Sequence, residues 1–187
     1  MALKIYKIWI NIIPVFRGWW LSFFYHIFRS NIRIGSLLRV NSGREWIFYP
    51  GCNFVCGRKV LLGKNVSLRS SNGALLEIEN NVGIGNNCQI VCHQHIKIGK
   101  GTSIAPGVML FDHNHKFDKD CGVNQRKFDD GEIIIGEHCW LGAGVIVVKD
   151  VTIGNNSIIG AGSVVVKDIP EHCVAVGNPC KPIKYLK

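Results

Sequence analysis

Residues 133–170 read IIIGEHCWLGAGVIVVKDVTIGNNSIIGAGSVVVKDIP, and aliphatic side chains recur through them at Ile135, Leu141, Val147, Ile153, Ile159 and Val165. Five consecutive steps of six hold one register. Gly136, Gly142, Gly154 and Gly160 follow four of these residues, and the fifth place of each unit is small or medium: Cys139, Val145, Val151, Ser157, Ser163. Six residues turn an α-helix through roughly 600°, so an apolar stripe of this period would wind round the cylinder instead of facing a core. The period suits short strands separated by turns, three hexads closing one triangular coil with its aliphatic residues inward.

The same unit stands earlier at Ile78, Ile84 and Ile90, then resumes two residues out of phase at Ile98, Ile104 and Leu110; Leu62-Gly63 and Leu68 belong to the first, less regular coils. Between Leu110 and Ile135 the period is lost. The intervening segment 111–132 is polar, charged and rich in His and Asp, which predicts a loop extruded from an otherwise regular stack. Residues 34–187 are thus expected to form one coil domain, with the tail 170–187 as its cap, because the end of a stack needs covering. Residues 1–33 carry three tryptophans among many apolar residues, punctuated by Lys4, Lys7, Arg17, His26 and Arg29. No uninterrupted apolar run there reaches the roughly 18 residues of a spanning helix. Two helical segments around Pro14 are expected, serving as a cap on the first coil or as a membrane-interfacial anchor with aromatic and basic residues at headgroup level.

The formal charge of +9 is distributed without a run of five basic residues, so a nucleic-acid arm is not indicated and a small polyanion or an anionic surface fits better. Eight cysteines in a chain of this size, irregularly spaced and with no signal peptide evident, read as free thiols of a cytoplasmic protein. Cys52 with Cys56 and Cys88 with Cys92 miss the C-x2-C zinc spacing, and no metal is expected.

Three segments, SIAPGVMLFDHNHKFD (103–118), the stretch quoted first, and AVGNPCKPIK (175–184), resemble the hexapeptide-repeat acyltransferases. Within that family the sequence looks most like the maltose and galactoside, xenobiotic and surface-polysaccharide O-acetyltransferases. The resemblance covers roughly residues 60–183. It implies an all-β, left-handed parallel β-helix with a short helical amino-terminal segment and an extruded catalytic loop. It also implies a homotrimer with sites between subunits, acetyl-CoA as acyl donor, and a carbohydrate acceptor.

Acetyl transfer to a hydroxyl needs a base, and histidine suits that role at neutral pH. The resembling families place the catalytic histidine in this loop in an N-H-x-x-D context, which Asn114-His115-Lys116-Phe117-Asp118 matches, so the role carries to His115, with His113 next. Asp112 or Asp118 is a candidate to fix its tautomer. Asn87, by similarity to an acceptor-contacting asparagine, is expected on the acceptor side with His93 and Asp112. Trp140 resembles the family's cleft-wall tryptophan; Gly142, Ala143 and Ala161 match turn positions along the pantetheine arm; Lys167, Lys181 and Lys184 match basic positions at the phosphates. Relatives often have arginine where Lys181 and Lys184 stand, so charge is kept while a bidentate contact is lost. His93 and His95 alternate around Gln94, which would turn both to one side of a strand. Cys88 and Cys139, at fifth places, read as packing residues, so direct transfer is favoured over a cysteinyl intermediate.

The alternatives are serine, a xenobiotic or an amino sugar as acceptor, a γ-carbonic-anhydrase-like hydratase using His93, His95, His113 and His115, and a non-catalytic scaffold. The expected location is the cytoplasm, peripheral at the inner membrane face if the amino end is an anchor.

Overall fold

The computed structural model describes residues 2–186, with side chains from Ile12 onward. Each hexad aliphatic is the inward residue of a two- to four-residue strand, and the strands stack in register into three parallel sheets that form the faces of a prism. The first sheet runs from Ile32–Ile34 to Val151–Ile153, the second from Arg39–Val40 to Cys173–Val176, and the third from Glu45–Phe48 to Val164–Val165. Ile78, Ile98, Ile135 and Ile153 form one inner column; Ile84, Ile104, Leu141 and Ile159 a second; Ile90, Leu110, Val147 and Val165 a third. All are buried. Each such side chain contributes about 1.5–3 kcal/mol of burial, an upper figure because unfolded chains already bury some apolar surface.

The fourth place of a hexad turns the corner in the left-handed backbone region. Asn81, Asn87, Asn156, His138 and Asp150 occupy it, and glycine does so at 101, 107, 144 and 162. Asparagine, aspartate and glycine tolerate that conformation best, which accounts for the polar or glycine fourth place.

Coil length varies, and all the variation falls at one corner, between the third and first sheets. Phe54 stands beneath Leu76, twenty-two residues on, Leu76 beneath Ile96, twenty on, and Ile133 beneath Val151, eighteen on. The two-residue phase slip between Ile90 and Ile98 is this corner at Cys92–His95. One coil further the same corner emits the interruption, which is not an irregular loop but an antiparallel hairpin of His113–Asp118 and Gly122–Asp130. Its strands are exposed almost throughout, so no apolar alternation announces them.

The amino end is one continuous helix, Ala2–Phe28, instead of two segments about Pro14. Pro14, Gly18 and Leu21 are buried and Tyr25 half-buried, the 3–4 spacing of a helix with one face on the first coil. Gly18 makes that approach: a Cβ there would lie 1.9 Å from the Leu38 carbonyl oxygen. Tyr25 meets Phe48 edge-on, and the Arg29 guanidinium donates to the Tyr49 carbonyl at 3.1 Å. At the other end Lys181–Tyr185 folds back antiparallel on Cys173–Val176 and covers the sheet edge.

Candidate active site

The corner that widens also builds a cleft. Asp112 follows Phe111, whose register partner is Val91, so it takes the inward place held by Cys92 in the preceding coil and Ser70 in the one before. Its carboxylate is fully buried and accepts backbone N–H bonds from His93 at 2.8 Å, Gln94 at 2.9 Å and His95 at 3.0 Å. The His113 Nδ1 lies 3.3 Å from the same group. Burial by itself would raise the carboxyl pKa; the bonds from His113, Gln94 and His93 outweigh it and hold the group below the ordinary aspartate value.

His113 begins the hairpin and pairs across it with Asp130. Its ring stacks on His93, centroids 3.6 Å apart and planes 6° apart, and the His93 Nδ1 reaches Asp130 at 3.3 Å. Burial and the neighbouring His113 lower the His93 pKa. Phe128 closes on both rings edge-first. His115 stands two residues along the same strand, exposed, its ring 4.6 Å from Phe128 and its Nδ1 3.3 Å from the Asn124 carbonyl. A carbonyl only accepts, so this contact puts the proton on Nδ1 and leaves the Nε2 lone pair free. His93, His113, His115 and Phe128 border a cleft of about 430 Å³ whose far wall is Tyr49, Arg69, Ser71, Asn72 and Val91.

One chain does not gather every expected site residue at this corner. Asp112, expected at the acceptor, is sealed beneath the cleft and can act only through its neighbours. His93 and His95 do not share a side: His95 opens the next strand of the first sheet and lies between Glu77 at 3.0 Å and Glu132 at 3.3 Å. Asn87 turns the corner between the second and third sheets, where its Oδ1 accepts from the Asn65 side chain at 3.0 Å. Trp140 is half-exposed on the second sheet between Ser103 and Ile158.

Gly142, Ala143 and Ala161 stack at the same corner as Asn87, and a Cβ added at Gly144 or Gly162 would meet nothing within 4 Å, so this corner is open enough for an extended chain to lie along it. Lys167 is exposed at the corner after the third sheet, and Lys181 and Lys184 are exposed on the carboxy-terminal strand. The phosphates of a nucleotide donor fit such lysines. Asp118 stays at the hairpin tip, accepting from the Asp120 and Cys121 N–H groups. Cys88 and Cys139 are buried, their thiol pKa values raised by burial, which removes them as nucleophiles. Among the described residues no group of three or more His, Cys, Asp or Glu could hold a metal ion.

Sequence reasoning missed Arg69, Tyr49, Phe128 and Asp130. The first two reach the cleft from earlier coils, and the last two from the hairpin's return strand.

Residues 132–167 match the family model for bacterial transferase hexapeptide repeats. WbbJ of Escherichia coli K12, which carries the name of a lipopolysaccharide biosynthesis O-acetyl transferase, is 30% identical over 159 residues, 74% of this chain and 81% of that one. The solved maltose O-acetyltransferase of Clostridium difficile 630 is 34% identical with a TM-score of 0.62, over 72% of this chain and 71% of the other. A hexapeptide-repeat acetyltransferase of Vibrio cholerae O1 biovar eltor, solved with acetyl coenzyme A, is 25% identical with a TM-score of 0.61, over 70% of each chain.

Proposed function

The chain belongs to the hexapeptide-repeat acetyltransferases, enzymes that use acetyl-CoA, and from that premise we propose that it acetylates a sugar hydroxyl in the assembly of a surface glycan. The observation that carries the reading is His115 at the cleft mouth with Nδ1 committed to the Asn124 carbonyl. Its Nε2 accepts the acceptor hydroxyl's proton as the oxygen attacks the thioester carbonyl; the C–O bond forms, the C–S bond breaks, and the proton returns to the leaving thiolate. His113 stands ready as the second histidine of the cleft, and Tyr49, Arg69, Ser71 and Asn72 offer a sugar an aromatic edge and several hydrogen-bonding groups. The lipopolysaccharide biosynthesis in the name of WbbJ and the maltose in the name of the Clostridium difficile enzyme support the substrate class over serine or a xenobiotic.

A screen of acetyl-CoA with hydroxylated sugars, reading free thiol, tests this. Replacing His115 with Ala should reduce turnover on the order of 100- to 10,000-fold with the melting profile unchanged. Near-normal turnover overturns His115 as base.

The reading includes a homotrimer. The outer face of the third sheet carries Met109, Phe111, Ile146, Val148, Val164 and Val166, an apolar strip beside the open Gly142–Ala143 corner, and a second copy packed there would bring one subunit's hairpin toward the other's Trp140. It also includes contact with the inner membrane face. No helix among the described residues is long and apolar enough to cross a membrane, yet Phe16, Trp19, Trp20, Phe23, Phe24, Ile27 and Phe28 are exposed on the amino-terminal helix. The helix Ala2–Phe28 holds Lys4, Lys7 and Arg17 and no Asp or Glu, and Arg29, Arg33, Arg39 and Arg44 follow it before the first acidic residue, a positive and aromatic end suited to anionic lipid.

A further inference from the structure

We propose that His93 is a positioning residue: stacked on His113 and tied to Asp130, it sets the attitude of the hairpin that carries His115. The proposal rests on His115 being the base.

The hairpin has almost no core of its own. Between His113 and Asp130 only His113 and Phe128 are better than exposed. Its attitude therefore depends on what holds its base. The Gly131 N–H donates to the Asp112 carbonyl at 2.7 Å, Lys149 pairs with Asp129 at 2.9 Å on the exposed side, and on the cleft side the hold is the His93–His113 stack with its Asp130 bond. An exposed ion pair is a weak tether, whereas two partly buried rings in face contact restrict rotation. His93 belongs to the coil and His113 and Asp130 to the two strands of the hairpin, so a single side chain bridges the fixed body and both strands.

The two rings are also clamped by carboxylates from opposite sides. The His113 Nδ1 lies 3.3 Å from Asp112, which belongs to the coil, and the His93 Nδ1 lies 3.3 Å from Asp130, on the hairpin's return strand. Removing the His93 ring therefore removes the stack and the Asp130 contact together, and leaves the cleft side of the hairpin with the His113–Asp112 contact alone.

The full chain is compared with His93→Ala, His93→Phe and His115→Ala by amide hydrogen exchange at pH 7, corrected for intrinsic rates, with coil amides such as those of Ile135 and Val147 as internal controls for folding. His93→Ala should lose hairpin protection more than tenfold relative to wild type, and His93→Phe, which keeps a stacking ring but not the Asp130 contact, should lose less. Thioester cleavage of acetyl-CoA should fall about tenfold in His93→Ala with KM for acetyl-CoA unchanged, and recover in part in His93→Phe. Unaltered hairpin protection in His93→Ala, or a loss in His93→Phe as large as that in His93→Ala, overturns the proposal. If His115→Ala remains active, the assignment of the base fails instead, and the exchange result stands on its own.

Discussion

Asp112 is the residue on which the cleft is assembled, because one buried carboxylate satisfies three successive backbone N–H groups of the widened corner. Asp112→Asn keeps the shape but turns an amide donor toward donors, which should lower stability by about 2–3 kcal/mol, read as a shifted urea midpoint. The sign with pH follows from its depressed pKa. The stabilisation is complete above the unfolded carboxyl's pKa of about 3.9 and is lost as pH falls through the lower folded value, so variant and wild type should converge in strong acid. At this scale the sequence is only half legible. The string DHNH places two histidines in the interruption, and the proposed base, His115, stands in its N-H-x-x-D match, but nothing in the string says that Asp112 points inward while His113 points into the cleft. That facing depends on Phe111 keeping the strand register one residue beyond the last hexad.

Among the elements, the hexad strands are legible because each repeats the same burial, residue after residue, down three columns. The phase slip at Ile98 is visible in the sequence as well, although its meaning is not, since only the stacked coils show every added residue at one corner. The hairpin looks like a loop in the sequence because a strand without a buried face has no period to detect. Pro14 predicts a break in the amino-terminal helix because it removes a backbone donor, a cost that the inner stripe of Gly18, Leu21 and Tyr25 offsets by docking on the first coil. Gly18→Val should break that docking, since its first side-chain atom would collide with the Leu38 carbonyl oxygen. The expected outcome is proteolysis within the helix at least tenfold faster, with the coils beyond residue 60 keeping their exchange protection.

For the molecule as a whole, an apolar outer strip on the third sheet and a basic, aromatic helix ask for two different neighbours. With the proposed homotrimer packed through this strip, Val148→Glu should sediment as a monomer where wild type sediments as a trimer, with the prism still folded, because the introduced charge faces outward; a wild-type monomer overturns the proposed assembly. Binding to vesicles of phosphatidylserine and phosphatidylcholine should weaken as salt rises and should fall in Trp19→Ala with Trp20→Ala; salt-independent binding would contradict an electrostatic component. The confinement of added residues to one corner has a further consequence for what can be separated from what. Excising residues 112–130 would leave Phe111 followed by Gly131, Glu132 and Ile133, the same two-residue step that Lys149 and Asp150 make between Val148 and Val151. The corner N–H groups of His93 to His95 would then face water instead of a carboxylate. Such a chain should melt cooperatively as an uninterrupted prism and transfer no acetyl group, which would make the chemistry a removable appendix to a body that folds without it.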